Sequence, residues 1–310
     1  MEGLADDILR DVLTRAGGYD WCVTEFVRVS ATVLPHSAFT RISPELKNSS
    51  RTRAGTPVRI QFLGSDPGLL AANAAHVAKL NPAGIDLNFG CPTPLINRNR
   101  GGAALLNDPL LLHRIVAQVR AAVPMHIPVT AKMRLGISDT SKAVDCACAL
   151  AEGGIRELVV HARTREDGYR PPARWQSVAS IREALRIPVI ANGEVWTLAD
   201  YRAIRGVTGC DDVMLGRGAV ADPLLAKRIR GVAEDPIAEW ARVAGMIGDF
   251  WSQVQNKVLP SQSPGRLKQW LVLMRRSYPQ ADALFSALRA LRTAPDVTRV
   301  LERHLAATGG

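Results

Sequence analysis

Short apolar, β-branched runs alternate with amphipathic stretches as far as residue 230, and that alternation limits the fold more than any other feature. The runs cover residues 21–26, 57–63, 85–89, 128–134, 157–162, 188–192 and 212–216. The stretches with helical periodicity cover residues 66–80, 109–123, 141–152, 175–185, 198–205 and 219–230. Asp66-Pro67 opens the first of these with a capping carboxylate and a proline in the first turn. Strand followed by helix, repeated, predicts parallel βα units. A closed barrel of such units needs eight strands.

Seven strands are counted, and a helix precedes the first of them. It covers residues 4–15, with Leu4, Ile8, Leu9, Val12 and Leu13 on one stripe and Gly17-Gly18 to end it. No strand stands before that helix. The expectation is an α/β fold, a TIM (β/α)8 barrel lacking its first strand, with an open seam and a natural start upstream of Met1.

From Gly231 onward only helical periodicity remains, broken at residues 260–265 and at Pro279. The reading is a barrel domain over residues 1–232 and an all-helical domain over residues 233–310. The chain carries a formal net charge of +10 over 310 residues. Such a charge suits a polyanion, because neutralising phosphates releases counterions; a solvated arginine surface is the alternative. Residues 250–281 hold Lys257, Arg266, Lys268, Arg275 and Arg276 and no acid. Leu267, Trp270, Leu271 and Met274 follow helical spacing, so the basic residues are expected to face solvent. No apolar run reaches membrane-span length and no secretory leader is visible, so a cytoplasmic protein is expected. Five cysteines without a CxxC pair, and six histidines without paired spacing, give neither a disulfide framework nor a metal site.

Chemistry in such a barrel sits where strands end. The closing residues are Glu25, Gln61, Asn88 with Cys91, Lys132 with Arg134, His161 with Arg163, Asn192 with Glu194, and Gly216 with Arg217. Lys132 inside an apolar strand is costly unless it has work to do or a salt bridge to a neighbouring strand. The loops Asn192-Gly193-Glu194 and Gly216-Arg217-Gly218 follow the last two strands, where barrels of this kind bind phosphate; ordinary turns are the alternative. Amides such as Gln61 suit the donor–acceptor edge of a flavin, and Lys132 suits the charge on its reduced ring. Cys91 lies on a loop over the barrel mouth. A thiol is mostly protonated at neutral pH, so it can act as a general acid, or it can be a buried structural thiol.

At these residues the chain resembles the tRNA-dihydrouridine synthase family. The run Asn88-Phe89-Gly90-Cys91-Pro92, with Gly102-Ala103 and Leu105-Leu106, is similar to its cysteine signature. Lys132 with Arg134, His161 with Arg163, Asn192 to Glu194 and Gly216-Arg217 look like its flavin and substrate motifs. Arg28 and the run Arg266 to Leu271 look like its C-type bacterial branch, which modifies uridine 16 of tRNA.

The resemblance implies that NADPH (or NADH) reduces FMN, that hydride then passes to C6 of the uracil, and that Cys91 protonates C5. It implies flavin contacts from Met1, Glu2, Gly3, Gln61, Lys132, His161, Asn192, Gly193, Glu194, Gly216 and Arg217. It implies substrate contacts from Arg28, Asn88, Arg134, Arg163 and Tyr169. Separately, the basic face off the apolar stripe is expected to put Arg266 and Lys268, with Arg289 on a later helix, on the tRNA backbone, a solvated basic face being the alternative, and a monomer is expected. Three features depart from the family. The chain starts at Met1-Glu2-Gly3 where the family has a preceding strand. Thr93-Pro94-Leu95 replaces a loop that usually carries a lysine. Arg98-Asn99-Arg100 is bulkier and more basic than expected. A small-molecule barrel flavoenzyme, or a tRNA-binding module without catalysis, are the competing readings.

Overall fold

All seven runs form strands, and they pair in chain order. In the computed structural model, which describes residues 3–98, 101–232 and 235–306, the strands are β1 (Cys22–Arg28), β2 (Val58–Leu63), β3 (Ile85–Phe89), β4 (Val129–Arg134), β5 (Leu158–His161), β6 (Val189–Asn192) and β7 (Val213–Met214). Every neighbouring pair is parallel, in the order β1-β2-β3-β4-β5-β6-β7. This is the strand order of a βα barrel with seven strands. Among the described residues β1 and β7 are edges, each with one partner strand.

The helices behave as their local chemistry dictates. Asp66 caps Pro67–Ala78 by accepting from the Leu69 N–H at 2.7 Å. Asp108 does the same for Pro109–Ala122, accepting from Leu111 at 3.0 Å. The stretch expected to be one helix over residues 219–230 is two, Arg217–Ala221 and Leu225–Ile229. Pro223 lies between them, and a proline cannot continue the preceding turn. Short helices at His36–Ile42 and Pro94–Arg98 carry no long period and escape a reading from sequence.

The chain divides into two units, and the division differs from a single boundary at residue 232. One unit holds Asp20–Val195 and Ala199–Leu215; the other holds the described parts of Met1–Tyr19, Trp196–Leu198 and Gly216–Gly310. The reason lies in the N-terminal helix, Asp7–Ala16. Its apolar stripe, Leu4, Ile8, Leu9 and Val12, is buried with Trp240, Phe250, Trp270 and Leu271 in one core cluster. Asp11 accepts from Gln253 Nε2 at 3.1 Å, and Arg15 pairs with Asp249 at 2.6 Å. In the sheet unit a second cluster fills the space between strands and helices, with Ile60, Phe62, Leu87, Phe89, Ala131 and Met133 all but fully buried.

Candidate active site

Side chains two apart on a strand share a face. On β4 this sets Thr130, Lys132 and Arg134 in line, and on β3 it sets Asp86 with Asn88. The register then fixes their neighbours. Gln61 stands opposite Asp86, and Asp86 opposite Thr130. Asn88 stands opposite Lys132, Arg134 opposite His161, and His161 opposite Asn192. One face of β2–β6 thus carries rows of polar side chains rising toward the C-terminal ends of the strands.

A continuous hydrogen-bond chain starts in the lowest row and climbs to Asn88. Asp86 accepts from Thr130 Oγ1 at 2.6 Å and from Gln61 Nε2 at 2.7 Å. Gln61 Oε1 accepts from Asn88 Nδ2 at 2.7 Å, and Asn88 Oδ1 accepts from the Gly90 N–H at 2.9 Å. The amide ends of Gln61 and Asn88 are therefore fixed by their partners. Asp86 is 1 % exposed, and burial holds its carboxyl above the usual carboxylate range, opposed by Thr130 and Gln61. Sequence reasoning misses Asp86 and Thr130 because neither closes a strand. Their signal is spacing: a polar side chain at every second place in Asp86-Leu87-Asn88 and Thr130-Ala131-Lys132-Met133-Arg134.

Lys132 is half-buried, and among the described residues no hydrogen bond or ion pair engages its ammonium. The salt bridge to a neighbouring strand is therefore absent among those residues. Burial brings Lys132 down to about 8, Arg134 adds to the effect and Asp86 opposes it. A cation held with so little compensation suits an anionic partner.

Arg134 and Arg163 do something other than reach outward. Arg134 is 2 % exposed and donates to the carbonyls of Gly90 at 2.8 Å, and of Thr164 and Gly168, each at 2.9 Å. Arg163, fully buried, donates from Nε to the Arg170 carbonyl at 2.8 Å and pairs with Glu194. The two guanidiniums thus tie the loops after β3, β5 and β6 together. Tyr169 is 53 % exposed, with its ring 5.3 Å from the Arg134 guanidinium carbon and 6.1 Å from the His161 ring.

His161 packs against Gly193. A Cβ at Gly193 would sit 3.0 Å from the imidazole, and the glycine has φ +124°, so only glycine fits there. Glu194 follows at φ 64°, a conformation costly for a residue with a side chain and held here by its pair with Arg163. Asn192 donates to the Met214 carbonyl at 2.8 Å.

Cys91 follows β3 and is 8 % exposed, in a small apolar cluster with Leu63 and Ile96. Its Sγ lies 3.3 Å from Thr93 Oγ1. Its carbonyl accepts from the Ala103 N–H at 3.1 Å and from Asn97 Nδ2 at 3.0 Å, which pins the loop. Cys146 on the helix Ala143–Glu152 is driven up to about 12 by burial and donates to the Leu106 carbonyl.

The remaining assignments are scattered. Met1 and Glu2 lie outside the described residues. Gly3, Gly216 and Arg217 belong to the helical unit, where Arg217 lies 5.1 Å from the Trp196 ring. Arg28 is exposed at the end of β1. Arg266 does not face solvent as expected: its side chain is 15 % exposed, pairs with Asp6 at 2.5 Å and donates to the carbonyls of Gly3 and Leu4. Lys268 donates to the carbonyls of Arg289 and Leu291, while the Arg289 side chain is exposed. Trp270 is wholly buried, its indole N–H donating to the Val220 carbonyl at 3.0 Å.

A search against protein-family models matches dihydrouridine synthase (Dus) over residues 1–258. The chain belongs to the dihydrouridine synthase family. Among curated members it is 55 % identical over 311 aligned residues to the tRNA-dihydrouridine(16) synthase of Ralstonia nicotianae, covering 100 % of this chain and 95 % of that one. It is 57 % identical to the protein of the same name from Aquipseudomonas alcaligenes, covering 93 % of each. Among solved structures, histamine dehydrogenase from Rhizobium sp. 4-9 matches this dihydrouridine synthase with a TM-score of 0.58 at 16 % identity, over 81 % of this chain and 47 % of that one, a likeness of fold alone.

Proposed function

We propose that this chain is a flavin-dependent tRNA-dihydrouridine synthase that reduces the C5–C6 double bond of uridine 16 in tRNA, with FMN as cofactor, NADPH as reductant and Cys91 as proton donor. It works as a monomer in the cytoplasm, without a metal, and residues 233–310 contribute tRNA contact. The observation that carries this reading is Lys132, a half-buried ammonium with no hydrogen bond or ion pair among the described residues, on a polar strand face whose strand β3 leads into the Cys91 loop.

The residues of that face fit a flavin. Gln61 and Asn88 are amides held in set orientations, as the edge of an isoalloxazine requires. Lys132 offers positive charge toward a ring that becomes negative on reduction. Gly193, where a Cβ would meet the His161 ring at 3.0 Å, lets the loop after β6 lie directly against that imidazole. FMN held there would supply the hydride, with a nicotinamide to replenish it.

The chain's own part is to orient, shield and protonate. Cys91 would give its proton from Sγ to C5 as C6 takes the hydride; two C–H bonds form, the C5–C6 π bond and the S–H bond break, and the thiolate regains its proton from solvent. The apolar cluster around Cys91 limits water at that step. Arg134 and Arg163 act on the substrate through the loops they tie, and Tyr169 is placed to meet the nucleotide. Dihydrouridine mapping of tRNA tests the whole. Cells lacking this gene lose the modification at position 16 and regain it when the gene is returned; retention of dihydrouridine there without the gene overturns the reading.

A further inference from the structure

Pro92 to Arg98 follow the C-terminal end of β3, and Arg165 follows that of β5. Together Pro92, Pro94, Asn97, Arg98 and Arg165 line an open pocket of about 350 Å³. Among the described residues two cations and no carboxylate line it. Arg98 is exposed and has no ion pair among the described residues, and the ion pair of Arg165 is a 3.4 Å contact with the adjacent Glu166. The prolines give a stiff apolar wall. Asn97 joins this pocket to the backbone of the Cys91 loop, because its Nδ2 donates both to the Cys91 carbonyl and, at 2.8 Å, to the Thr93 carbonyl. The pocket and the Cys91 loop thus share Asn97.

We propose that this pocket binds a phosphodiester group of the RNA beside the target nucleotide, with Arg98 and Arg165 as its cationic walls and Asn97 as the link that carries registration to Cys91. The inference rests on the functional reading above and adds a subsite to it. Guanidinium pairs favour phosphate oxygens because their donors come in a planar fork. Apolar proline surface suits the ribose that accompanies such a phosphate. The position of the pocket on the same loop as the proton donor makes it a check on which nucleotide reaches the thiol. Uridines presented without the matching backbone bend would leave the walls unfilled.

The test uses flavin-loaded protein, an unmodified tRNA transcript and NADPH. Arg98→Ala, Arg165→Ala and the double variant are measured for tRNA affinity across salt concentrations and for the rate of flavin reduction by NADPH. Each single change should weaken tRNA binding roughly tenfold. The log–log salt slope should fall by about 0.7–0.9 for each lost phosphate contact. Flavin content and NADPH-driven reduction should stay at the parent's level. Unchanged tRNA affinity and slope in the double variant overturn the proposal. So does a loss confined to NADPH affinity, which would give the pocket to the phosphate of the dinucleotide. The parent protein separates the two ideas: if it forms no dihydrouridine in any tRNA, the functional reading fails, whereas dihydrouridine formed by parent and double variant at equal tRNA affinity removes the pocket alone.

Discussion

The Asp86 carboxylate accepts from the Gln61 side-chain amide at 2.7 Å, and that bond decides which end of the amide meets which neighbour. With Nε2 committed to Asp86, Oε1 turns to Asn88. Asp86→Asn puts a further amide in the row. Its new N–H donor, facing Gln61, forces one of the two amides to rotate. Flavin affinity should fall by about tenfold or more, as expected for one misplaced buried hydrogen bond. Titration of flavin fluorescence checks it, and equal affinity in variant and parent would show that Gln61 is oriented by something else.

Lys132 makes a prediction about pH. Its folded-state value of about 8 lies below the ordinary 10.5, so the unfolded chain binds its proton more tightly. The cost of burying it is fully present below pH 8. It fades as pH rises from 8 to 10.5, because the folded protein sheds the proton first. Lys132→Met should therefore stabilise the flavin-free protein at neutral pH by about 1–3 kcal/mol, allowing for the side chain's partial exposure. The gain in Tm should shrink above pH 8. The same variant should lose most of its flavin. A Tm difference constant across that pH range would disprove the account.

For Cys91→Ala the two halves of the reaction part company. Flavin reduction by NADPH should run at the parent's rate, since the thiol takes no part in it. Reoxidation by tRNA should slow by about 10²–10⁴, the usual contribution of a general acid. Stopped-flow absorbance of the flavin follows both halves in one protein. Reoxidation at the parent's rate would leave Cys91 a structural thiol.

Arg266 was expected to grip tRNA, and its surroundings redirect the prediction. It secures the start of the N-terminal helix through Asp6 and the Gly3 and Leu4 carbonyls. Arg266→Ala should lower stability by about 1–3 kcal/mol, the cost of leaving such partners unsatisfied. Denaturant melts measure this. The salt slope of tRNA binding should change little, and a slope reduced by about one with unaltered stability would restore the original role.

How much of this was legible in the sequence depends on which physical effect wrote the signal. The seven strands were, because an apolar side chain at every second place, as in Ile85-Asp86-Leu87-Asn88-Phe89, fits a strand and not a helix. The strand-end residues were, since Lys132 and Asn192 interrupt such runs where they close. Asp86 was present as a carboxylate inside a strand, yet only the register with Gln61 and Thr130 shows what it does. The direction of Arg266 was not legible: helical spacing says which residues avoid the apolar stripe, but not whether a neighbouring segment covers them. The division of the chain was not legible either, because the N-terminal helix carries the same amphipathic stripe whichever core receives it.

That last point bears on synthesis. The helix Asp7–Ala16 finds Asp249, Gln253 and Lys257 as partners at separations of 234, 242 and 250 residues. On a ribosome adding roughly 5–20 residues per second, it waits some tens of seconds with its apolar stripe uncovered. The intervening sheet, whose pairs are all between successive strands, has its partners available long before. A segment made early is thus among the last to be buried, and its apolar stripe stays open to other apolar surfaces until residues 249–257 are made.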